Sequence, residues 1–203
     1  MPKINVYVPD DLAAAVRRAG IPVSAICQHA LAEAVRSAGE ARSAIDALRD
    51  PAADAPALPT ATPRLRRVLD RGGPLLFALL DDGDNLAVRI LEMLDVDVPA
   101  LRDAASGARG GAARGVLAAA LEGALGLGHS YLGTEHLLLG LATEDDAREL
   151  LAAHGVTPDR VRRAIPAAVG AAALGHRQPP GSADAARLDA IERRLAALER
   201  RLA

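Results

Sequence analysis

The sequence has 203 residues, enough for one ordinary domain with small additions or for two compact modules joined by linkers, and we favour two modules. Its 24 basic and 26 acidic residues nearly cancel, so the overall charge points to neither a nucleic-acid nor a membrane partner, and any DNA contact must be local. Lys3 is the only lysine, which excludes a phosphate-binding loop of the form G-x-x-x-x-G-K-[ST] and therefore an ATPase motor in this sequence.

Residues 1–39 are predicted to begin with a single β-strand. Polar and apolar side chains alternate from Lys3 to Val8, which is typical of a strand with one solvent-exposed face. Lys3, Asn5 and Tyr7 share the polar face. A strand without a partner is not stable, so we expect it to pair with the same strand of a second chain and to make the protein a homodimer or a larger oligomer.

Two short helices are predicted to follow that strand. The first begins at the acidic pair Asp10 and Asp11 and is closed by Gly20, because acidic residues favour a helix start and glycine a helix end. Ser24 is expected to cap the second helix, which covers about 25–37.

Two proline-containing linkers divide the remainder of the chain. Residues 40–61 are predicted to be a helical extension followed by a Pro/Ala linker, residues 62–174 a helical domain, and residues 175–183 a second linker. The last segment, 184–203, carries an a/d heptad pattern that predicts a short coiled-coil helix. The alternative is an amphipathic helix that packs on its own chain. The heptad positions are Leu188, Ile191, Leu195, Leu198 and Leu202.

The middle domain contains an internal repeat. Ala87, Leu91, Val96 and Arg102 recur sixty positions later as Ala147, Leu151, Val156 and Arg162. Leu69 and Leu75 are six residues apart, whereas the corresponding Leu117 and Leu137 are twenty apart. The first copy is therefore predicted to lack about one helix and its loop, with Gly72-Gly73-Pro74 in their place.

Several stretches of residues 62–165 resemble the N-terminal substrate-receptor domain of Clp-type AAA+ unfoldases, which is built from two helical repeats. They are Thr62-Pro-Arg-Leu-Arg-Arg-Val-Leu69, Gly83-Asp-Asn-Leu-Ala-Val-Arg-Ile-Leu91, Gly128-His-Ser-Tyr-Leu-Gly-Thr-Glu-His-Leu-Leu-Leu-Gly-Leu141 and Leu151-Ala-Ala-His-Gly-Val156. In the ClpC branch of that family the domain receives substrates and adaptors, can bind phosphorylated arginine, and is the target of cyclic-peptide antibiotics. The resemblance therefore implies a peptide or cyclic-peptide ligand.

The same resemblance indicates Thr62 and Glu135 as ligand-binding residues. The family pairs a threonine at the start of each repeat with the glutamate of its Gly-Thr-Glu-His motif. In this sequence both pairs are broken, because Gly73 stands at the glutamate position of the first copy and Gly110 at the threonine position of the second. The broken pairs argue against phosphoarginine, although Glu135 can still bind a guanidinium-type group.

No metal site, cofactor or catalytic group is predicted. His129 and His136 lie seven residues apart without a second cysteine and lack zinc-ligand spacing, so both are expected to be structural. Cys27 is the only cysteine and is expected to fill a helix core. A single cysteine and the lack of a signal peptide or a membrane-spanning apolar run favour a cytoplasmic protein.

The first 38 residues resemble the ribbon-helix-helix fold, and especially the DNA-binding end of CcdA-like antitoxins. In that fold a ribbon of two paired strands enters the major groove of DNA. The resemblance implies that Lys3, Asn5 and Tyr7 read bases and that Ser24 holds a phosphate. The alternative is a dimerisation strand whose polar face is only solvated.

The sequence thus predicts a mainly α protein with one N-terminal strand, a helical repeat domain and a short C-terminal coiled coil. We interpret it as a DNA-binding regulator, an autorepressor of its own promoter, with a ligand-sensing receptor domain. The alternative is a decoy or adaptor that sequesters ClpC-directed peptides, antibiotics or substrates. A less favoured interpretation is an antitoxin whose C-terminal part neutralises a toxin.

Overall fold

The computed structural model describes residues 4–58, 60–107, 113–144 and 147–175. This part of the chain contains ten α-helices and no β-strand, so the mainly α expectation is confirmed. In chain order the helices are α1 Asp10–Arg18, α2 Val23–Arg49, α3 Pro63–Asp70, α4 Leu75–Asp81, α5 Leu86–Met93, α6 Val98–Ser106, α7 Ala113–Gly126, α8 Thr134–Glu144, α9 Ala147–Ala153 and α10 Pro158–Gly175.

Residues 4–9 precede α1 and belong to no helix or strand in the single chain. The strand predicted from Lys3 to Val8 is therefore not seen here, and Lys3 itself lies outside the described residues. Pro9 is the N-cap of α1 in an extended conformation, so the predicted capping by a side chain of the acidic pair is wrong. Gly20 ends the helix region with a φ of 62°, as its position predicted.

Helix α2 is one continuous helix of 27 residues. The predicted end near residue 37 is wrong, whereas the predicted helical extension beyond residue 40 is confirmed. Gly39 costs a helix only about 1 kcal/mol relative to alanine, and the helix-favouring residues around it outweigh that cost. Ser24 is not the cap either, because Pro22 occupies that position and Ser24 lies in the first turn.

The C-terminal half of α2 packs on the helical body, mainly on α7. Its buried residues there are Ser37, Ala44, Ile45 and Leu48. Arg114 of α7 donates hydrogen bonds to the backbone oxygens of Ala47, Leu48 (3.3 Å) and Asp50 (2.8 Å). The last turn of a helix leaves backbone carbonyl groups without intrahelical donors, and the Arg114 guanidinium supplies donors to them. Its positive charge also interacts favourably with the negative end of the α2 dipole.

The helical body consists of two runs of four helices, α3–α6 and α7–α10. Ala87 and Leu91 on α5 and their repeat partners Ala147 and Leu151 on α9 are all buried, which supports the repeat. The prediction that the first copy lacks a whole helix is wrong. Instead α3 has 8 residues against 14 in α7, and α4 has 7 against 11 in α8. The first copy is therefore shorter because two of its helices are shorter, and it keeps all four helices.

Helix α8 is the centre of the core. All residues from Thr134 to Ala142 are buried, because α8 contacts α7, α5, α10, α9 and α4 on its different sides. A helix buried on every side needs no polar face, which explains its run of leucines. The position of α8 matters for function because its first turn carries the Gly133-Thr134-Glu135-His136 motif.

A short parallel bridge joins the linker before α3 to the loop before α8. It pairs Ala61 with Leu132: the Thr62 amide donates to Leu132 O at 2.8 Å, and the Leu132 amide donates to Thr60 O at 2.9 Å. The start of the first repeat therefore lies beside the motif of the second. The linker predicted over 175–183 (from 176 on) and the coiled coil over 184–203 lie outside the described residues. No helix in the described ranges is both long and apolar enough to cross a membrane.

Candidate ligand site at the start of helix α8

The bridge between Ala61 and Leu132 brings Thr62 and Glu135 to the wall of one cavity, which we call the receptor cavity. Its volume is about 270 Å³, and α3, α5, α8 and the loop before α8 all contribute to its lining. The two residues that the sequence indicates for ligand binding therefore line the same cavity, although each comes from a different repeat. Thr62 supplies the surviving threonine and Glu135 the surviving glutamate.

Thr62 is the N-cap of α3. Its hydroxyl oxygen accepts a hydrogen bond from the Leu65 amide at 3.2 Å, which satisfies one of the free donors of the first turn. A hydroxyl has a second lone pair and a proton to donate, so Thr62 can still bond a ligand.

Glu135 is almost completely buried, with 2% of its surface exposed. Its carboxylate lies directly over Gly133: a β-carbon at Gly133 would be 2.3 Å from Glu135 Oε2. Burial raises the pKa of Glu135, while its own backbone amide and a hydrogen bond from Tyr131 act in the opposite direction. Glu135 Oε1 is buried without a hydrogen-bond partner. Such an oxygen costs free energy until a donor reaches it, and a ligand can supply that donor.

The hydrogen bonds of His136 assign its tautomer. Its Nδ1 accepts from the Gly133 amide at 3.0 Å, so its proton must be on Nε2, which lies 2.8 Å from Nδ1 of His129. His136 therefore donates to His129, and the proton of neutral His129 is on Nε2. Burial lowers the pKa of His136 to about 3, with a smaller contribution from His129. The contact of 3.4 Å between His136 Nδ1 and Glu135 Oε1 is consequently not an ion pair.

His129, Glu135 and His136 place ligand-type atoms within 4.8 Å of one another, an arrangement that could suggest a metal ion. The hydrogen bonds argue against it. Nε2 of His136 could bind a metal only if its proton moved to Nδ1, but Nδ1 faces the Gly133 amide hydrogen. The cluster is described by its contacts as a hydrogen-bonded support for the motif, and the structural role of both histidines stays a prediction.

Charged and polar residues that sequence reasoning missed complete the rim of the receptor cavity. Arg64 pairs with Asp82 at 2.6 Å, and Arg89 with Asp84 at 2.9 Å. Asn85 is buried and caps α5 by accepting from the Val88 amide at 3.1 Å. An asparagine before a helical pattern is a recognisable cap, whereas the arginines carry no local signal of their position.

Tyr131 is the other residue that the sequence did not single out. Its ring stacks on His129 with centroids 5.2 Å apart, and its hydroxyl bonds Glu135. Burial, followed by the charge of Glu135, raises the pKa of Tyr131 to about 12, so the hydroxyl keeps its proton at neutral pH and acts as a donor.

The residues predicted to contact DNA lie in the N-terminal region. Asn5, Tyr7 and Ser24 are all exposed, Tyr7 by 95%, and none of them lines the receptor cavity. Cys27 is half-buried on α2. The same region leaves many large apolar side chains exposed, which a monomer does not cover. They are Ile4, Val6, Val8, Leu12, Ile21, Val23, Ile26, Leu31 and Val35.

Two protein-family models match the chain in separate ranges. The model described as "Post-segregation antitoxin CcdA" matches residues 2–48, and the one described as "Clp repeat (R) N-terminal domain" matches residues 111–193. The second range begins just before α7, so the first repeat, α3–α6, lies outside it. The four residues that the loop before α8 and its first turn contribute to the receptor cavity lie inside the matched range: Tyr131, Gly133, Thr134 and Glu135.

Relatives among known proteins cover only part of the chain. The uncharacterized protein Rv2667 of Mycobacterium tuberculosis is 36% identical over 97 residues, which are 42% of this chain and 38% of that protein. Chaperone protein ClpB of the same species is 34% identical over 125 residues, 54% of this chain and 15% of the chaperone. Chloroplastic chaperone protein ClpC1 of Oryza sativa subsp. japonica is 29% identical over 131 residues, 52% of this chain and 14% of the chaperone.

This chain thus spans less than two fifths of the length of each of these relatives. The two matched ranges follow one another without overlap, in the order that the sequence motifs indicated. The chain therefore joins an N-terminal region of the CcdA antitoxin type to a region of the Clp N-terminal repeat type.

Proposed function

We propose that the protein is a cytoplasmic DNA-binding regulator, an autorepressor of its own promoter, whose Clp-type region binds a peptide ligand. The observation that carries this proposal is the uncovered apolar surface of the CcdA-type region. Ile4, Val6 and Val8 alternate with Asn5 and Tyr7, and all of them are exposed in the single chain. Burial of a surface of this kind favours association.

A second copy of the chain is the proposed cover. Pairing of residues 3–8 with the same residues of another chain would bury the apolar side chains and leave Lys3, Asn5 and Tyr7 on the outer face. A two-stranded ribbon fits the major groove, where a lysine donates to guanine and an asparagine makes a paired contact with adenine. Ser24, in the first turn of α2, is the proposed phosphate contact.

The receptor cavity is the proposed peptide site. Glu135 Oε1 lacks a donor, and the Thr62 hydroxyl belongs to the lining of the same cavity. A ligand that carries amide or guanidinium N–H groups would donate hydrogen bonds to both oxygens. The proposed ligand is a peptide or a cyclic peptide of the kind directed at ClpC.

The test is retardation of the DNA upstream of the gene by the purified protein, with and without a ClpC-directed cyclic peptide. We expect the triple variant Lys3→Ala, Asn5→Ala, Tyr7→Ala to lose DNA retardation while it stays dimeric and still binds the peptide. Glu135→Gln is the reciprocal control, because it should weaken peptide binding and leave retardation by the unliganded protein unchanged. Full retardation by the triple variant would contradict the DNA-reading proposal.

The second candidate is a decoy or adaptor that takes up ligands or substrates of a ClpC unfoldase and is itself a ClpC partner. It is favoured by the likeness to the chaperones ClpC1 and ClpB and by the receptor cavity. For this candidate, peptide binding would not change DNA retardation, and an excess of the protein would protect ClpC activity from the cyclic peptide.

A further inference from the structure

A second cavity lies between α2 and α7, and we call it the interhelix cavity. Its volume is about 250 Å³. Ala38 and Ala41 of α2 form one wall, and Leu121, Ala124 and Leu125 of α7 form the other. The small side chains on α2 leave this space unfilled. The cavity therefore lies between a helix that is mostly within the CcdA-type range and one within the Clp-type range.

The ionisable groups in the lining of this cavity are cationic or neutral. They are Arg42, His129 and Tyr131, and none of the described residues that line the cavity is an aspartate or a glutamate. Within the described ranges no ion pair of Arg42 is found, whereas Arg36 and Arg49 on the same helix both pair with glutamates. An arginine at the rim of an apolar cavity is suited to bind a carboxylate.

His129 adds a second donor with a fixed orientation. Its Nδ1 accepts the hydrogen bond from His136, so Nε2 carries the proton of the neutral ring and can donate. Stacking on Tyr131 and the bond to His136 hold the ring in place. A donor that is held before the ligand arrives loses little conformational entropy on binding.

We propose that the interhelix cavity binds a small monocarboxylate with an apolar body. The carboxylate lies between Arg42 and His129, and the apolar body lies against Ala38, Ala41, Leu121 and Leu125. At about 250 Å³ the cavity is large enough for a ligand of several carbon atoms, and hexanoate is a probe of this class. Apolar lining with a few placed polar groups is typical of small-molecule sites.

Occupancy of this site holds α2 against α7. The apolar body touches both helices at once, so its binding free energy opposes their separation. We therefore expect the ligand to slow hydrogen exchange of the α2 amides around Ala38 and Ala41. The site is distinct from the receptor cavity, although Tyr131 lines both.

Titration of the full chain with hexanoate, followed by amide NMR shifts, tests this proposal. We expect saturable shifts at Ala38 and Ala124, and a dissociation constant at least about tenfold higher for the neutral isostere hexanamide, because a charge-assisted bond is lost. Arg42→Gln should weaken hexanoate binding by a similar factor. Arg148→Gln is the matched control, since Arg148 is exposed on α9 and lines neither cavity.

Ala38→Leu fills the interhelix cavity and should abolish hexanoate binding. Ala32→Leu on the exposed part of α2 is its matched control. If Ala38→Leu does not fold, the comparison of hexanoate with hexanamide and Arg42→Gln decide the question. Absence of saturable shifts at millimolar hexanoate, or equal binding of hexanamide, would overturn the proposal. These measurements need no DNA, so their failure would leave the proposed DNA binding untouched, and the converse also holds.

Discussion

Gly140 of α8 lies against the Val116 carbonyl of α7 so closely that a β-carbon at Gly140 would be 2.3 Å from that oxygen. The obstacle is backbone, which cannot rotate away as a side chain can. We therefore expect Gly140→Ala to force α7 and α8 apart and to lower the free energy of unfolding by at least about 2 kcal/mol. Urea denaturation followed by circular dichroism measures the change.

Gly115→Ala is the control for that experiment. Gly115 is also helical, but nothing lies within 4 Å of the position of its β-carbon. Alanine is the better helix former, so this variant should gain about 0.5–1 kcal/mol. Equal effects of the two substitutions would mean that helix propensity, and not the close crossing of α7 and α8, decides the result.

Sequence reasoning predicted the features whose signals are local. The helix over Asp10–Arg18 and the turn at Gly20 follow from composition and spacing within a few residues. The repeat that relates Ala87 to Ala147 follows from a direct comparison of the sequence with itself. The full length of α2 could not be predicted, because no strong stop signal lies near Gly39 and contacts with distant α7 stabilise its second half. The shorter spacing between Leu69 and Leu75 in the first repeat predicts that this repeat is shorter than the second. It does not predict which helices are shorter.

The candidate site illustrates the same limit. Thr62 and Glu135 were each indicated by their own motif, but their proximity depends on the bridge from Ala61 to Leu132, whose partners are distant in sequence. The spacing of His129 and His136 in the sequence predicts only that they lack a zinc-ligand pattern. The turn at Gly133 between them brings their rings together, and sequence spacing alone does not predict such a contact.

His136 should make stability depend on pH. Its pKa is about 3 in the folded protein and 6.5 when exposed, so the unfolded chain binds more protons over that range. The contribution of His136 to stability is therefore fully present above pH 6.5 and is lost as pH falls towards 3, at up to about 1.4 kcal/mol per pH unit. We expect His136→Asn to unfold with a shallower acid dependence, as measured by urea denaturation at a series of pH values.

The range from pH 4.5 to 3 gives the clearest comparison. The raised pKa of Glu135 has the opposite effect, but only above its exposed value of 4.5, so it does not contribute below that pH. Because other carboxylates titrate there in both proteins, the quantity to compare is the difference between His136→Asn and the parent. Parallel pH profiles would show that His136 is not the group responsible.

Replacement of Glu135 by glutamine should separate stability from binding. The parent buries an acceptor without a donor, so Glu135→Gln is expected to raise the free energy of unfolding at pH 7 by about 1–3 kcal/mol while it weakens peptide binding. Thermal unfolding and peptide titration measure the two effects. A variant that is both less stable and unable to bind would indicate that Glu135 has a structural role instead.

Arg114 should determine how firmly the end of α2 is held. Arg114→Met keeps most of the length of the side chain but removes its donors to the carbonyls of Ala47, Leu48 and Asp50. We expect a loss of about 1–2 kcal/mol and faster hydrogen exchange in the last turn of α2. Arg148→Met, at an exposed position of α9, should change neither quantity.

The unbroken course of α2 gives the protein a rigid spacer. With 27 residues at about 1.5 Å each, it is a rod of roughly 40 Å, with its N-terminal half exposed and its C-terminal half fixed to the body. Each residue inserted near Gly39 would turn the two ends relative to each other by about 100°, whereas a seven-residue insertion would nearly restore their phase. Whatever holds the N-terminal end thus sets the direction in which the receptor cavity opens.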